Sequence, residues 1–293
     1  MQLVTKGIGK GKVYYLHHTR REGKEYKNYD LYLGKVLPGD LEFRKYAFFE
    51  EVYADVFKEI VRIKEKIKKE EKNMPLSVEK KNLFQFGIKF TYNTNRIEGS
   101  TLSIKDTKDA IEDNILPDRK PISDVIEAKK HQELFLKIIE SKEDVSYSSI
   151  LYWHKFLFTE SKGDIAGKVR TYPVWISGSK FNPPGPNEVD FELKDFFKWY
   201  EKNKQKLDPI ILSSLVHFKF VSVHPFGDGN GRISRLMMNA VLNRFRYPLF
   251  IIDYKNRRGY YNALEKSNVE NNELHFVAWY LKNYLKYLKS DNK

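Results

Sequence analysis

The chain has 293 residues, 41% hydrophobic and 15% aromatic, enough apolar side chain to build one large domain or two small ones. It has no cysteine, which excludes a disulfide scaffold and any cysteine-ligated zinc or iron–sulfur centre and makes a reducing cytoplasm the expected location. The formal net charge of +13 comes from lysines dispersed along the chain, a pattern of solvated Lys-Glu helices more than of a nucleic-acid surface.

The first segment, Met1 to Gly7, has no apolar run of signal-peptide length, and no stretch of about 18 uncharged apolar residues predicts a membrane span. Residues 1–40 read as a small β-hairpin module. Lys12 to Leu16 and Tyr29 to Leu33 are rich in β-formers, Arg21 to Lys24 reads as a turn between them, and Pro38-Gly39-Asp40 closes the segment. The module is expected to pack or to dimerise, which would make the chain a homodimer.

Residues 41–90 read as a helical segment. Apolar residues recur three and four apart from Phe48 to Ile63, and the charged run from Lys64 to Lys72 reads as the wet end of the same helix. A second helix is predicted over 78–97, ending at Gly99. Further helices are predicted at 103–113, 122–141, 146–158, 188–203, 207–222, 231–245, 258–268 and 273–289, so the fold class is mainly α. One segment interrupts them. Val174-Trp175-Ile176 and Phe181, separated by Ser177-Gly178-Ser179, read as a short β-hairpin, and Asn182-Pro183-Pro184-Gly185-Pro186 cannot be helix.

The stretch from His224 to Arg235 carries the chemistry. Pro225, Gly227, Gly229 and Gly231 make a loop whose amides can approach a ligand, and the helical spacing after Gly231 puts that loop at a helix N-terminus, where phosphate is favoured. Arg232 and Arg235 lie three apart on one helix face, and two guanidinium forks suit a polyphosphate. Asp228 is a hard oxygen ligand for Mg²⁺, and His224 is a side chain that titrates near neutrality and can act as a general base. Taken singly, each has a plain structural explanation: a loop histidine, an Asx-turn aspartate, surface arginines. Their conjunction within twelve positions is what points to a site.

That stretch matches the motif H-x-F-x-D/E-G-N-G-R-x-x-R at every defined position, and the chain resembles the Fic (filamentation induced by cAMP) family. Gly167 to Arg170 with Val174-Trp175-Ile176 and Pro183-Pro184 is similar to the family's flap. Pro209-Ile210 with His217-Phe218 is similar to the helix before the motif, and Arg258 to Leu264 to the helix that borders the nucleotide. The resemblance implies a Fic-fold helical core over 91–289 and transfer of AMP from ATP, with Mg²⁺, to a Tyr, Thr or Ser hydroxyl of a protein, or of the chain itself.

It implies roles residue by residue. His224 would deprotonate the target hydroxyl, Asp228 would hold Mg²⁺, and Phe226 would anchor the loop. Asn230, with the amides around Gly229 and Gly231, would hold the α-phosphate, and Arg232 and Arg235 the β- and γ-phosphates. Val174, Trp175 and Ile176 would align an extended target by β-pairing, with Tyr261 and Asn268 on the adenosine side. After Asn268, Val269 to Asn272 departs from the glycine-aspartate of the family.

Thr94-Asn95-Arg96-Ile97-Glu98-Gly99 fits the family's inhibitory pattern S/T-x-x-x-E-G/N, although alone it would read as a helix end with Gly99 as its cap. The resemblance implies that Glu98 pairs with Arg235 and withholds it from the γ-phosphate, and in some relatives the same glutamate serves removal of AMP. Two other functions compete: transfer from another nucleotide or phospho-donor, and a basic nucleic-acid-binding regulator with a silent core. About eighteen residues follow His275, too few for the winged helix that such regulators carry, so nucleic acid is not the expected partner.

Overall fold

A computed structural model of the chain describes residues 1–8, 11–141 and 143–291. It is 59% helical, and the chain divides into two compact units, Met1–Ile63 and Lys64–Lys293.

The first unit opens with an antiparallel meander of β1 (Gln2–Ile8), β2 (Gly11–Glu22) and β3 (Glu25–Gly34), in that spatial order. The expected pair of strands is there, with its turn between Glu22 and Glu25, and β1 extends the sheet by pairing along β2 from Gln2↔His17 to Ile8↔Gly11. Leu16 and Leu33, on one face, pack on Phe48 and Val52 of α1 (Leu41–Val52), so this first helix belongs with the sheet.

The single helix expected from 41 to 72 is two, α1 and α2 (Ala54–Glu71), broken at Tyr53. Arg20 is the reason. Its guanidinium donates to the Val52 carbonyl at 2.6 Å, and the Val56 N–H bonds Tyr53 instead. The same guanidinium pairs with Asp55 and lies 4.6 Å over the Tyr53 ring, so a long-range cation replaces one rung of the helix.

In the second unit follow α3 (Leu76–Ile97), α4 (Ile104–Glu112), α5 (Ile122–Glu140), α6 (Tyr147–Phe158), α7 (Val189–Asn203), α8 (Pro209–Val223), α9 (Asn230–Arg244), α10 (Arg257–Val269) and α11 (Leu274–Asp291). Every helix expected from periodicity here is present. Several starts are capped locally: Ser103 and Asp106 form a capping box, and Asp208 caps α8 with Pro209 at its first position. No described helix is long and apolar enough to cross a membrane.

The centre of this unit is α8, apolar on every side and buried on every side, as a helix without a polar face must be. It pairs with α9, while α3, α5 and α6 also pack on α9. The loop between α8 and α9 thus opens where five helices converge.

The expected hairpin at 174–181 is corrected. The segment is extended, with a turn closed by Ser179 N–H to the Ile176 carbonyl at 3.1 Å, but it forms no strand ladder. The N–H groups of its return arm go elsewhere: Lys180 N–H donates to Glu265 at 3.0 Å and Phe181 N–H to Ser179 Oγ at 3.1 Å, so neither is left for the opposite arm.

Candidate active site

The site is built on one sharp turn. His224 caps α8 in the left-handed region (φ 51°, ψ 57°), which turns the chain out of the helix toward α9. Asn230, at the start of α9, reaches back across the loop. Its side chain accepts from Phe226 N–H at 2.9 Å and donates to the Phe226 carbonyl at 2.8 Å. Phe226 is fully buried, as expected of the loop anchor, and stacks on His154 of α6 at 3.8 Å between centroids.

His154 ties the loop from the other side. Its Nδ1 accepts the Gly167 N–H at 2.9 Å, so Nε2 carries the proton and donates to the Asp228 carbonyl at 3.0 Å. Burial lowers its pKa to about 4, so it stays neutral and this pattern persists at physiological pH. Arg170, 3% exposed, donates to the carbonyls of His224 (2.8 Å), Tyr172 (3.1 Å) and Pro184 (2.6 Å), locking the flap's root to the loop.

At Gly229 (φ 80°) a Cβ would lie 2.3 Å from the Phe158 ring, so both conformation and space require glycine. The first N–H groups of α9, from Asn230 to Arg232, have no partner within the helix and form the anion-binding end of the site.

The reactive groups surround that end. His224 donates from Nδ1 to the Val221 carbonyl at 3.1 Å, which leaves Nε2 as the basic nitrogen. Burial lowers its pKa below the ordinary imidazole value, so it is unprotonated at neutral pH. Burial alone would raise the Asp228 pKa, but Arg232, Lys162 and the Gly229 amide outweigh it and hold the carboxyl at about 2. The described residues contain no group of three or more His, Asp or Glu side chains that would hold a metal by themselves. One half-buried, ionised carboxylate beside a phosphate cradle nevertheless fits Mg²⁺, which takes most of its ligands from water and phosphate.

Glu98 caps α3 and places Oε1 2.5 Å from Arg235 Nη2. Arg235 is 1% exposed and also donates to Thr94 Oγ1 at 2.6 Å and Tyr260 Oη at 3.2 Å. Burial works against its charge, but Glu98 and Tyr260 more than compensate and its pKa rises. A Cβ on Gly231 would lie 2.3 Å from Glu98 Oε1, so this carboxylate rests on the N-terminus of α9, where an anionic phosphate would bind. The expected Glu98–Arg235 pair is therefore present, and so is an anion in the cradle.

The other motif arginine differs. Arg232 is 4% exposed, bonds Glu127 of α5, and lies 3.3 Å from both Asp228 oxygens and 4.6 Å over the Phe158 ring. Sequence reading missed Glu127, Lys162 and His154. Only Glu127 left a signal there, as a carboxylate on a face of α5 that otherwise buries Val125, Ala128, His131 and Leu134.

Of the flap residues, Trp175 is 77% exposed and Val174 and Ile176 are half-buried. Lys180 N–H donates to Glu265 of α10 at 3.0 Å, fastening the flap's far side. Tyr261 Oη donates to the Ile97 carbonyl at 2.8 Å, beside Glu98, while Asn268 accepts from Ser222 at 2.9 Å and joins α10 to α8.

Known proteins are similar to this chain in sequence and fold. The family model described as the Fic/DOC family matches residues 144–242. The protein adenylyltransferase Fic of Nematostella vectensis is 32% identical over 184 residues, 60% of this chain and 42% of that protein, so the chain spans less than half the length of this relative. The structure of Fic-1 from Caenorhabditis elegans superposes with a TM-score of 0.71 at 25% identity, over 86% of this chain and 77% of the other. A Fic domain containing signaling protein from Bacteroides thetaiotaomicron shares the fold, with a TM-score of 0.69 at 24% identity over 80% and 93% of the two chains. With the loop, the cradle and the paired arginine in place, residues 144–242 match the Fic/DOC family model, and the chain is similar in sequence and fold to Fic proteins.

Proposed function

We propose that this chain transfers AMP from ATP to a hydroxyl side chain of a protein and that Glu98 holds it inactive. The observation that carries the reading is the position of the His224 imidazole. It is neutral, its Nδ1 is spent on Val221, and it stands at the mouth of the loop whose other end is the phosphate-binding N-terminus of α9.

In the transfer, the target oxygen attacks the α-phosphorus as its proton passes to His224 Nε2, the bond from the α-phosphorus to the bridging oxygen breaks, and pyrophosphate leaves. The amides at the start of α9 receive the charge that grows on the α-phosphate, with no reorganisation, because Asn230 fixes the loop around Phe226. Arg235, once released by Glu98, faces the end of the polyphosphate. Asp228 would hold Mg²⁺, which would supply charge neutralisation for the leaving pyrophosphate. The flap forms no ladder, so the backbone groups of Val174 and Trp175 and the Ile176 N–H are available to an extended target segment. The target is another protein or a second copy of this chain, and removal of AMP would be a separate hydrolysis in which water attacks the phosphorus and the target hydroxyl leaves with a proton. The relative from Nematostella is named a protein adenylyltransferase, which supports this reading over transfer from another donor.

Two outcomes follow. Burial lowers the His224 pKa, so the base stays available below the ordinary imidazole midpoint. The transfer rate should lose its basic form with an apparent pKa below 6.5, measured with pH-independent saturation by ATP. A midpoint above 6.5 would place the base elsewhere. Asp228→Ala should abolish the Mg²⁺-dependent part of ATP affinity, read by calorimetry with and without the ion, and an unchanged Mg²⁺ effect would move the metal from this residue.

A further inference from the structure

Two side chains outside the motif hold its charged groups. Lys162, in the loop after α6, places Nζ 2.7 Å from Asp228 Oδ2 and 2.8 Å from Glu127 Oε1. Glu127 is 7% exposed and also pairs with Arg232, whose Nη2 lies 3.3 Å from each Asp228 oxygen. The Gly229 amide donates to Asp228 Oδ1 at 2.5 Å. Two cations and two carboxylates thus close a neutral ring, and both oxygens of Asp228 are engaged.

The place of Lys162 in that ring is informative. Glu127 is already matched by Arg232, a buried and geometrically fixed partner, so it needs no second cation for its own burial. Lys162 comes instead from a surface loop, and its side chain is 37% exposed on a flexible stem. Burial disfavours its charge, yet Asp228 and Glu127 outweigh that and raise its pKa, so it stays an ammonium. A cation bridging one oxygen of each of two carboxylates stands where those carboxylates would share a metal ion. A divalent ion bonds carboxylate oxygen at about 2.1 Å and cannot share Asp228 Oδ2 with an ammonium already in contact.

We propose that Lys162 is a tethered monovalent occupant of the divalent-cation position at Asp228, held there by Glu127, and that an arriving metal ion must displace it. This rests on the reading of Asp228 as the metal carboxylate. Before nucleotide arrives the site is balanced in charge without metal, and its metal affinity is held down by competition. Displaced, the ammonium becomes a further cation for the polyphosphate.

The test is Mn²⁺ binding to the whole chain without nucleotide, followed by electron paramagnetic resonance, with Mg²⁺ as competitor. Lys162→Met should bind Mn²⁺ at least about tenfold more tightly than the wild type, because it frees two carboxylates and removes the competing charge. Lys162→Gln, which keeps a polar head, should fall on the same side and serves if the methionine variant folds poorly. Adding Asp228→Ala to either should abolish the gain. A lysine that only ties the loop to α5 predicts a lower melting temperature with Mn²⁺ affinity unchanged, and that result in a folded variant would overturn the proposal. Because no transfer is measured, the outcome is separate from that of the AMP-transfer reading.

Discussion

Replacement of His224 by asparagine should lower AMP transfer by at least 10²- to 10⁴-fold while ATP affinity changes by less than about threefold. The base and the phosphate anchors are separate parts of the loop. His224 closes α8, whereas the amides, Arg232 and Arg235 belong to α9. Asparagine is the informative replacement because His224 adopts φ 51°, a conformation that asparagine accepts and alanine resists. A loss of transfer in His224→Asn therefore reports chemistry and not a distorted turn. Near-normal transfer by a folded His224→Asn protein would mean that another group takes the proton.

Glu98→Gly should raise transfer by roughly 10- to 150-fold, and Arg235→Ala should not raise it. A charge-assisted hydrogen bond in a partly buried site is worth about 1.5–3 kcal/mol, and releasing an inhibited state of that depth raises the competent population by this factor. The Glu98 side chain is 25% exposed and Arg235 is buried, so the pair is neither a surface ion pair of negligible worth nor one sealed from nucleotide. Both substitutions break the pair. Only the first leaves a guanidinium, still positioned by Thr94 and Tyr260, for the end of the polyphosphate. It also clears the carboxylate from above Gly231. A purely structural Glu98 predicts a lower melting temperature with transfer flat or reduced, so rates and melting curves measured together separate the two cases.

Much of the site was legible because its chemistry is local. Twelve consecutive residues supply the proposed base, the proposed metal carboxylate, the glycine nest and both arginines, and a turn into a helix is all that is needed to gather them. The helices were legible for a similar reason, since apolar residues three and four apart declare a buried face. What sequence could not show is set by contacts between distant residues. The break at Tyr53 depends on Arg20 taking the Val52 carbonyl, and nothing near position 53 announces it. The contact of Glu127 with Arg232 comes from 105 residues away on α5, and nothing near position 232 announces it. His154 looked like one more residue of an apolar helix, yet it sets the loop through Asp228 and Gly167. The flap was misjudged as a hairpin because its β-formers are real. Its ladder fails because the N–H groups of Lys180 and Phe181 on the return arm bond Glu265 and Ser179 Oγ, contacts the local sequence does not announce.

The central claim is that the α-phosphate of ATP, with its nucleoside, moves to a protein hydroxyl. It is tested most directly by incubating the Glu98→Gly protein and a cell lysate with Mg²⁺ and ATP radiolabelled at either the α- or the γ-phosphate. The account predicts that α-label becomes covalently attached to protein, that γ-label appears only as released pyrophosphate, and that Glu98→Gly combined with His224→Asn shows neither. Retention of γ-label on protein, or no attached α-label on any protein with the chain folded, would contradict it.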